Sequence, residues 1–274
     1  MIEHILDHRD GEVSDCPSMS HVITGCHILR GNMRFTTFHG DAMNDDQFWH
    51  VLESDGIVFI QEGTQRGLSE FLQSFTTWYH HPHEHSAGLT KISPNSLSNS
   101  AGSAGFTHLA LGLHTDRSTA SEPPSILASV MEHASTQGGD SIFCDGQKIL
   151  KNLKQKGHTE QDIADLRLVG QFGETPMWGQ PGKNHYSLRY RDDEVARPAT
   201  SSREDTLSDL HLLLGRLMMM RHLEQGEGYV LHNHRILHGR TAFKGARSVI
   251  RILANVLDSS QHRDLNQGFV LPED

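Results

Sequence analysis

Two stretches of the sequence carry residue types that hold a transition metal. The first is Leu113-His114-Thr115-Asp116-Arg117-Ser118, and the second, far downstream, is Asn233-His234-Arg235-Ile236-Leu237-His238-Gly239-Arg240. On an extended strand residues i and i+2 face the same way, so His114 and Asp116 can present an imidazole and a carboxylate together. A further imidazole from His232, His234 or His238 completes a set of two histidines and one carboxylate. That set leaves three coordination positions open, which suits non-heme iron(II) activating O2 beside a bidentate co-substrate. The same donors also build catalytic zinc sites, so a zinc hydrolase is an alternative. A non-catalytic binding module that keeps a lined pocket is another.

Spacing alone does not select the first pair. The chain has 21 histidines, and His-x-Asp or His-x-Glu also occurs at His8/Asp10, His39/Asp41, His158/Glu160, His222/Glu224 and His262/Asp264. The pairs at His158 and His222 fall in or beside helical patterns, where such neighbours point apart. His114/Asp116 instead follows the apolar Leu109-Ala110-Leu111 and precedes an apolar strand.

The elements that must position these residues follow from periodicity. Apolar spacing predicts a helix over 44–52 and a buried strand over 56–60, then a helix capped by Thr64 and running to about Tyr79. Residues 1–40 read as edge strands and turns. Residues 80–105, rich in His, Ser, Asn and Gly, lack periodicity and are expected to form an active-site lid. Strands are expected over 125–131 and 138–143, joined by a turn, and over 168–172, 186–190, 229–232 and 249–257. Helices are expected over 147–153 and 159–166, and a leucine stripe from Leu207 continues as a helix through the Met-rich segment to about Leu223. Strands dominate the second half and no GxGxxG or GxxxxGK[ST] loop exists to cradle a nucleotide. The pattern points to a mainly β fold with flanking helices, a double-stranded β-helix (jelly-roll, cupin-like) core in a single catalytic domain over residues 1–274.

Composition narrows the partners. A net charge of −10 over 274 residues, without a long basic run, argues against a nucleic-acid partner. No apolar run is long enough to span a bilayer, and the first residues lack the pattern of a signal peptide. Cys16, Cys26 and Cys144 are odd in number and show no CxxC spacing, which fits a reducing, cytoplasmic setting. A small-molecule substrate is expected, and the oligomeric state is left open.

Near the C-terminus, Val249, Arg251 and Leu253 share one face of a strand, and Ile250, Ile252 and Ala254 the other. An arginine flanked by apolar residues calls for an anion, and a carboxylate can accept two parallel hydrogen bonds from it. With this strand the chain resembles the iron(II)/2-oxoglutarate dioxygenases of the taurine dioxygenase and γ-butyrobetaine hydroxylase type. The matching segments are His114-Thr115-Asp116, Gly138-Gly139-Asp140-Ser141, Asn233 to Arg240, and Arg247 to Arg251, and the resemblance spans roughly residues 41–258.

The resemblance implies that His114, Asp116 and His238 bind Fe(II). It implies that Arg251 grips the distal carboxylate of 2-oxoglutarate, with Ser141 standing where the family often has a threonine and Arg247 as the second candidate for that clamp. Arg117, next to the ligand carboxylate, is a candidate to pair with a substrate carboxylate. Arg189 and Arg191 are weaker ones. The segment also resembles a subgroup that hydroxylates or halogenates free amino acids. Halogenases of that kind replace the metal carboxylate by a small residue, so Asp116 favours hydroxylation. The implied reaction consumes O2 and 2-oxoglutarate, releases succinate and CO2, and hydroxylates an unactivated C–H bond of a small polar metabolite, an amino acid or biosynthetic intermediate. Desaturation, epoxidation or cyclisation on the same site is the alternative outcome.

Overall fold

A computed structural model describes residues 36–40, 45–86, 88–94, 103–171, 173–182 and 184–272. The edge strands expected before residue 36, Cys16, Cys26, Asn44, Phe172 and residues 95–102 of the expected lid lie outside the described residues. Among the described residues no helix is long and apolar enough to cross a membrane.

The fold is mainly β with flanking helices. A seven-stranded sheet runs in the order Thr37–His39, Ile57–Gln61, Gly228–His232, Ile126–His133, Ser248–Val256 and Thr76–Trp78, with Leu89–Ile92 also pairing with Ser248–Val256. A four-stranded sheet runs Met219–Arg221, Ser141–Asp145, Ile236–Arg240 and Leu111–His114. Both faces of the larger sheet are apolar, and alternation along each strand divides the side chains between two cores. Val58, Ile60, Ile250 and Ile252 pack outward against the helices Asp45–Asp55 and Gln65–Gln73. Ile57, Phe59, Val249 and Leu253 point inward and meet Phe143, Met219 and Ile236 of the smaller sheet. The outer face of the smaller sheet, with Cys144 and Leu237, is covered by the helices Gly146–Gln155 and Glu204–Leu217.

Three expectations change. The helix capped by Thr64 ends at Gln73, because Thr76, Thr77 and Trp78 pair with Val256, Asn255 and Ala254 at the sheet edge. The leucine-stripe helix ends at Leu217, because Met219, Met220 and Arg221 pair with Phe143, Ile142 and Ser141. The turn expected between residues 131 and 138 is a longer connection that contains the short strand Gln137–Gly138, and the strands it joins, Ile126–His133 and Ser141–Asp145, lie in opposite sheets.

One buried ion pair joins the layers. Arg235 Nε and Nη2 donate to the two carboxylate oxygens of Asp145, each at 2.9 Å, and Nη1 donates to the Ser54 carbonyl at 2.9 Å. Asp145 Oδ1 also accepts from the Gln147 N–H, capping the next helix. The guanidinium passes so close to Gly56 (φ 77°) that a Cβ there would lie 2.9 Å from Arg235 Cδ. Breaking one partner of such a pair strands a buried charge. Arg235→Met is therefore expected to lower the unfolding free energy by about 3–5 kcal/mol in urea titrations, and Arg235→Met/Asp145→Leu to recover much of it. A single-mutant loss below about 1 kcal/mol, the range of exposed pairs, would sink this assignment.

Candidate active site

The strand Leu111–His114 forms an edge of the smaller sheet and pairs antiparallel with Ile236–Arg240, so that His238 lies directly opposite His114. Their imidazole centroids are 4.4 Å apart. The register shifts between His238 and Arg240, and a Cβ on the intervening Gly239 would lie 2.5 Å from the Leu111 carbonyl oxygen and 2.7 Å from that of Gly112. Only glycine permits this approach of the two backbones. Beyond His114 the chain leaves the sheet: Thr115 N–H donates to the Tyr190 carbonyl at 2.8 Å, and Tyr190 N–H donates to Thr115 Oγ1 at 3.1 Å. Asn233 then fixes the next residue. Its Oδ1 accepts from the Asp116 N–H at 2.8 Å, and its Nδ2 donates to the Asp116 carbonyl at 3.0 Å and the Pro124 carbonyl at 2.8 Å.

His114, Asp116 and His238 are all buried, and one potential ligand atom from each lies within 4.8 Å of the others. His114 Nδ1 sits 2.9 Å from the Gly112 carbonyl oxygen, which can only accept, so Nδ1 carries the hydrogen. Its other ring nitrogen, Nε2, faces the cluster, 3.7 Å from Asp116 Oδ1. Burial, and then His114, pull His238 down to about 3, so it is a neutral imidazole at physiological pH. Burial by itself would raise the Asp116 carboxyl, but Arg251 and the two imidazoles outweigh it and hold it well below the usual carboxylate range. Arg251 Nη1 donates to both Asp116 oxygens, at 2.9 and 3.1 Å. His238 Nδ1 is buried without a hydrogen-bond partner. Two imidazoles, that of His238 held neutral by burial, an ionised carboxylate and an orphaned ring nitrogen form a donor set that fits a divalent ion.

The cluster opens into a cavity of about 310 Å³. Leu127, Tyr229 and Val249 of the inner core wall it on one side, and Ile92, Phe106 and His83 on another. Among the described residues five arginines line it, Arg117, Arg191, Arg240, Arg247 and Arg251, against a single carboxylate, Asp116. Arg191 is held in a fork by Asp193, with Nε–Oδ1 at 2.9 Å and Nη2–Oδ2 at 2.7 Å. Arg240 donates to the carbonyls of Ala104, Gly105, Thr107 and Leu109. Burial, and then Arg247, lower its pKa to about 10, so it stays charged at neutral pH. Ser141 and Arg247 are buried in the cavity wall, and Arg247 Nε has no hydrogen-bond partner. His81 also reaches the cavity, where burial, and then Arg251, pull it down to about 4.

All seven residues singled out from the sequence, His114, Asp116, Arg117, Ser141, His238, Arg247 and Arg251, therefore line one cavity. Of the competing histidines, His232 donates from Nε2 to the Leu265 carbonyl at 2.9 Å, and His234 is buried away from the cavity lining. Arg189 is occupied by the carbonyls of Ala120 and Ser121. Asn233, Gly239 and Arg240 were quoted in the downstream motif without a role. Their task is to hold backbone, which residue chemistry alone does not announce.

A sequence profile described as the taurine catabolism dioxygenase TauD, TfdA family matches residues 29–177. No curated protein sequence matches the chain. Among solved structures, similarity extends to PvcB, an Fe, alpha-ketoglutarate dependent oxygenase from an isonitrile synthetic pathway, with a TM-score of 0.61 and 15% identity over 90% of this chain and 95% of that one. A taurine dioxygenase from Burkholderia xenovorans gives a TM-score of 0.57 and 16% identity over 80% and 87% of the two chains. Asparagine oxygenase, in complex with Fe(II), 2S,3S-3-hydroxyasparagine and succinate, gives a TM-score of 0.55 and 14% identity over 76% and 77%. At these identities the likeness is one of fold.

The depressed Asp116 carboxyl has a consequence for stability in the metal-free protein. A group whose folded pKa lies below its unfolded value stabilises the fold above the unfolded value and loses that contribution as pH falls toward the folded one. The stability advantage of wild type over Asp116→Asn, measured by denaturation in a chelator, should therefore be full near neutrality and shrink below about pH 4. An advantage that stays flat or grows on acidification would contradict the Arg251–Asp116 pairing.

Proposed function

We propose, since the chain belongs to the taurine catabolism dioxygenase TauD, TfdA family, that His114, Asp116 and His238 hold its iron(II) and that the adjoining cavity receives 2-oxoglutarate and a small polar substrate. The protein is an iron(II)- and 2-oxoglutarate-dependent dioxygenase, and the two facing sheets are read as the double-stranded β-helix (jelly-roll, cupin-like) core of one catalytic domain. The observation that carries the site assignment is the convergence of the three ligand atoms beside two arginines and a serine in one buried cavity. Bound together, iron and 2-oxoglutarate supply oxygen activation coupled to decarboxylation, which yields succinate and CO2. What the chain itself contributes is orientation and exclusion of competing reactions.

Within that reading the co-substrate anchor is assigned to Arg247 with Ser141. From the sequence Arg251 is the first choice; its Nη1 is committed to both oxygens of Asp116, while its Nε, like that of Arg247, is buried without a partner. Arg247, four residues earlier and on the same face of the chain, is buried in the wall with an unpartnered Nε. A guanidinium desolvated in this way gains most from a carboxylate, and the Ser141 hydroxyl adds a third donor. Arg251 then orients and neutralises the ligand carboxylate.

Hydroxylation is the favoured outcome because Asp116 fills the position that a halide would need. Desaturation, epoxidation or cyclisation on the same site is the second reading, whereas hydrolysis at zinc finds no support in the family match. An amino acid or biosynthetic intermediate is proposed as substrate. Asparagine oxygenase, with its bound hydroxyasparagine, and OrfP, in complex with (3S)-hydroxy-L-Arg, support this by analogy of fold. Residues 80–105 are proposed as the lid, on the ground that His81, His83, Ile92 and Ala104 reach the cavity from both ends of that segment.

Anaerobic addition of iron(II) and 2-oxoglutarate to the purified protein should give a weak visible charge-transfer band that Asp116→Ala abolishes. No band in wild type, or an undiminished one in the variant, would refute the metal assignment. Arg247→Met should raise the 2-oxoglutarate concentration for half-development of the band by about 10- to 100-fold while iron still binds. If Arg251→Met gives that effect and Arg247→Met does not, the anchor is Arg251.

A further inference from the structure

We infer that the substrate binds as a carboxylate and that Arg117 is the residue that grips it. The inference rests on the iron and 2-oxoglutarate reading of the same cavity. With Arg191 neutralised by Asp193, four guanidiniums face the single carboxylate of Asp116. Arg251 is committed to that carboxylate and Arg240 to four backbone carbonyls. Of the five arginines lining the cavity, Arg117 and Arg247 have no ion-pair or hydrogen-bond partner among the described residues, and each has a buried, orphaned Nε, as does Arg251, whose Nη1 is held by Asp116.

A divalent metal and a dianionic co-substrate cancel each other, so loading the site does not remove the positive excess. Arg247 receives its anion from 2-oxoglutarate, and Arg117 still lacks one. A neutral or cationic substrate would leave this half-buried guanidinium in the filled cavity without a counter-charge, which the desolvation penalty opposes. A substrate carboxylate accepts from the guanidinium fork and supplies that counter-charge.

The backbone supports this placement. Arg117 follows the ligand Asp116 directly and sits at φ 56°, one of three described non-glycine residues with positive φ. L-residues rarely hold that conformation without a reason in the surrounding structure. Its carbonyl accepts from the Ala120 N–H at 2.9 Å, which closes the turn, while the side chain lines the cavity. Being adjacent in sequence to a ligand, the anchor would hold the substrate at a fixed reach from the metal, with its reactive carbon between the two.

The test is anaerobic binding to protein loaded with iron(II) and 2-oxoglutarate, read as perturbation of the visible band and as heat in calorimetry. The probes are the proteinogenic L-amino acids, their carboxamides, and sulfonate analogues of any acid that binds. At least one acid should bind about 10-fold or more tighter than its amide. Arg117→Gln should weaken that acid by about 10- to 100-fold, leave the amide within about twofold, and leave the band with 2-oxoglutarate alone intact; Arg117→Lys should recover part of the loss. The proposal is overturned if no acid binds, if amides or sulfonates bind as well as the acids, or if Arg117→Gln keeps the preference for acid over amide. Loss of the band with 2-oxoglutarate alone in Arg117→Gln also overturns it, since Arg117 would then serve the metal site. If wild type itself gives no band, the metal reading fails instead, and the calorimetric comparison of acid with amide still decides the role of Arg117.

Discussion

The site depends on the register between two strands of the smaller sheet. His238 faces His114 across an antiparallel pair, and the bulge at Gly239 lets the backbones approach closely there. A slip of one residue would turn every side chain of the strand to the opposite face and put Leu237 into the cluster. Nothing in the histidines resists such a slip. Resistance comes from Leu237, packed with Cys144 and the helices outside, and from Ile236, packed between the sheets. The hydrophobic layers thus set the geometry of the His114–Asp116–His238 cluster, and Asn233 carries it past the end of the strand by tying down the Asp116 backbone.

A second constraint is the handling of buried positive charge. Arg235 is matched by Asp145, Arg191 by Asp193 and Arg251 by Asp116, each with charge-assisted hydrogen bonds. These arginines carry their counter-ions with them, and Arg240 and Arg189 are held by backbone carbonyls instead. Against that pattern, Arg117 and Arg247 stand out as cavity guanidiniums with neither kind of partner among the described residues, which the proposed ligands would supply. The contrast between matched and unmatched arginines, within one protein, is a stronger argument than the presence of arginine in a pocket.

Much of this was legible in the sequence, for identifiable reasons. The pairing of His114 with Asp116 was readable because i and i+2 share a strand face, and the split of the Val249 to Ala254 strand into two apolar faces held, since both faces are covered. The choice among His232, His234 and His238 was not readable from the residues. All three are buried, and only the cross-strand register separates them. Helix ends were misjudged at Thr76 and Met219 because the apolar period ran on while sheet edges captured the backbone. Arg251 shows a further limit: strand alternation identifies an inward-facing arginine, but the contact with Asp116, remote in sequence, is visible only in the fold.

The strand Ile236–Arg240 also links His238 to the cavity wall. Two residues beyond His238, the Arg240 guanidinium gathers the carbonyls of Ala104, Gly105, Thr107 and Leu109. That segment includes Phe106, which lines the cavity, and leads directly into the strand that carries His114. Its carbonyls lie outside the regular sheets and need donors, and a charged fork supplies several at once from a single side chain. Lysine, with one compact ammonium, could not span the same set. Because Arg240 grows from the strand that bears His238, the wall and the ligand are fixed to one rigid element, so a shift in either would be felt by the other. The cavity is in this sense an extension of the sheet, held by hydrogen bonds that reach outward from the metal-binding strand.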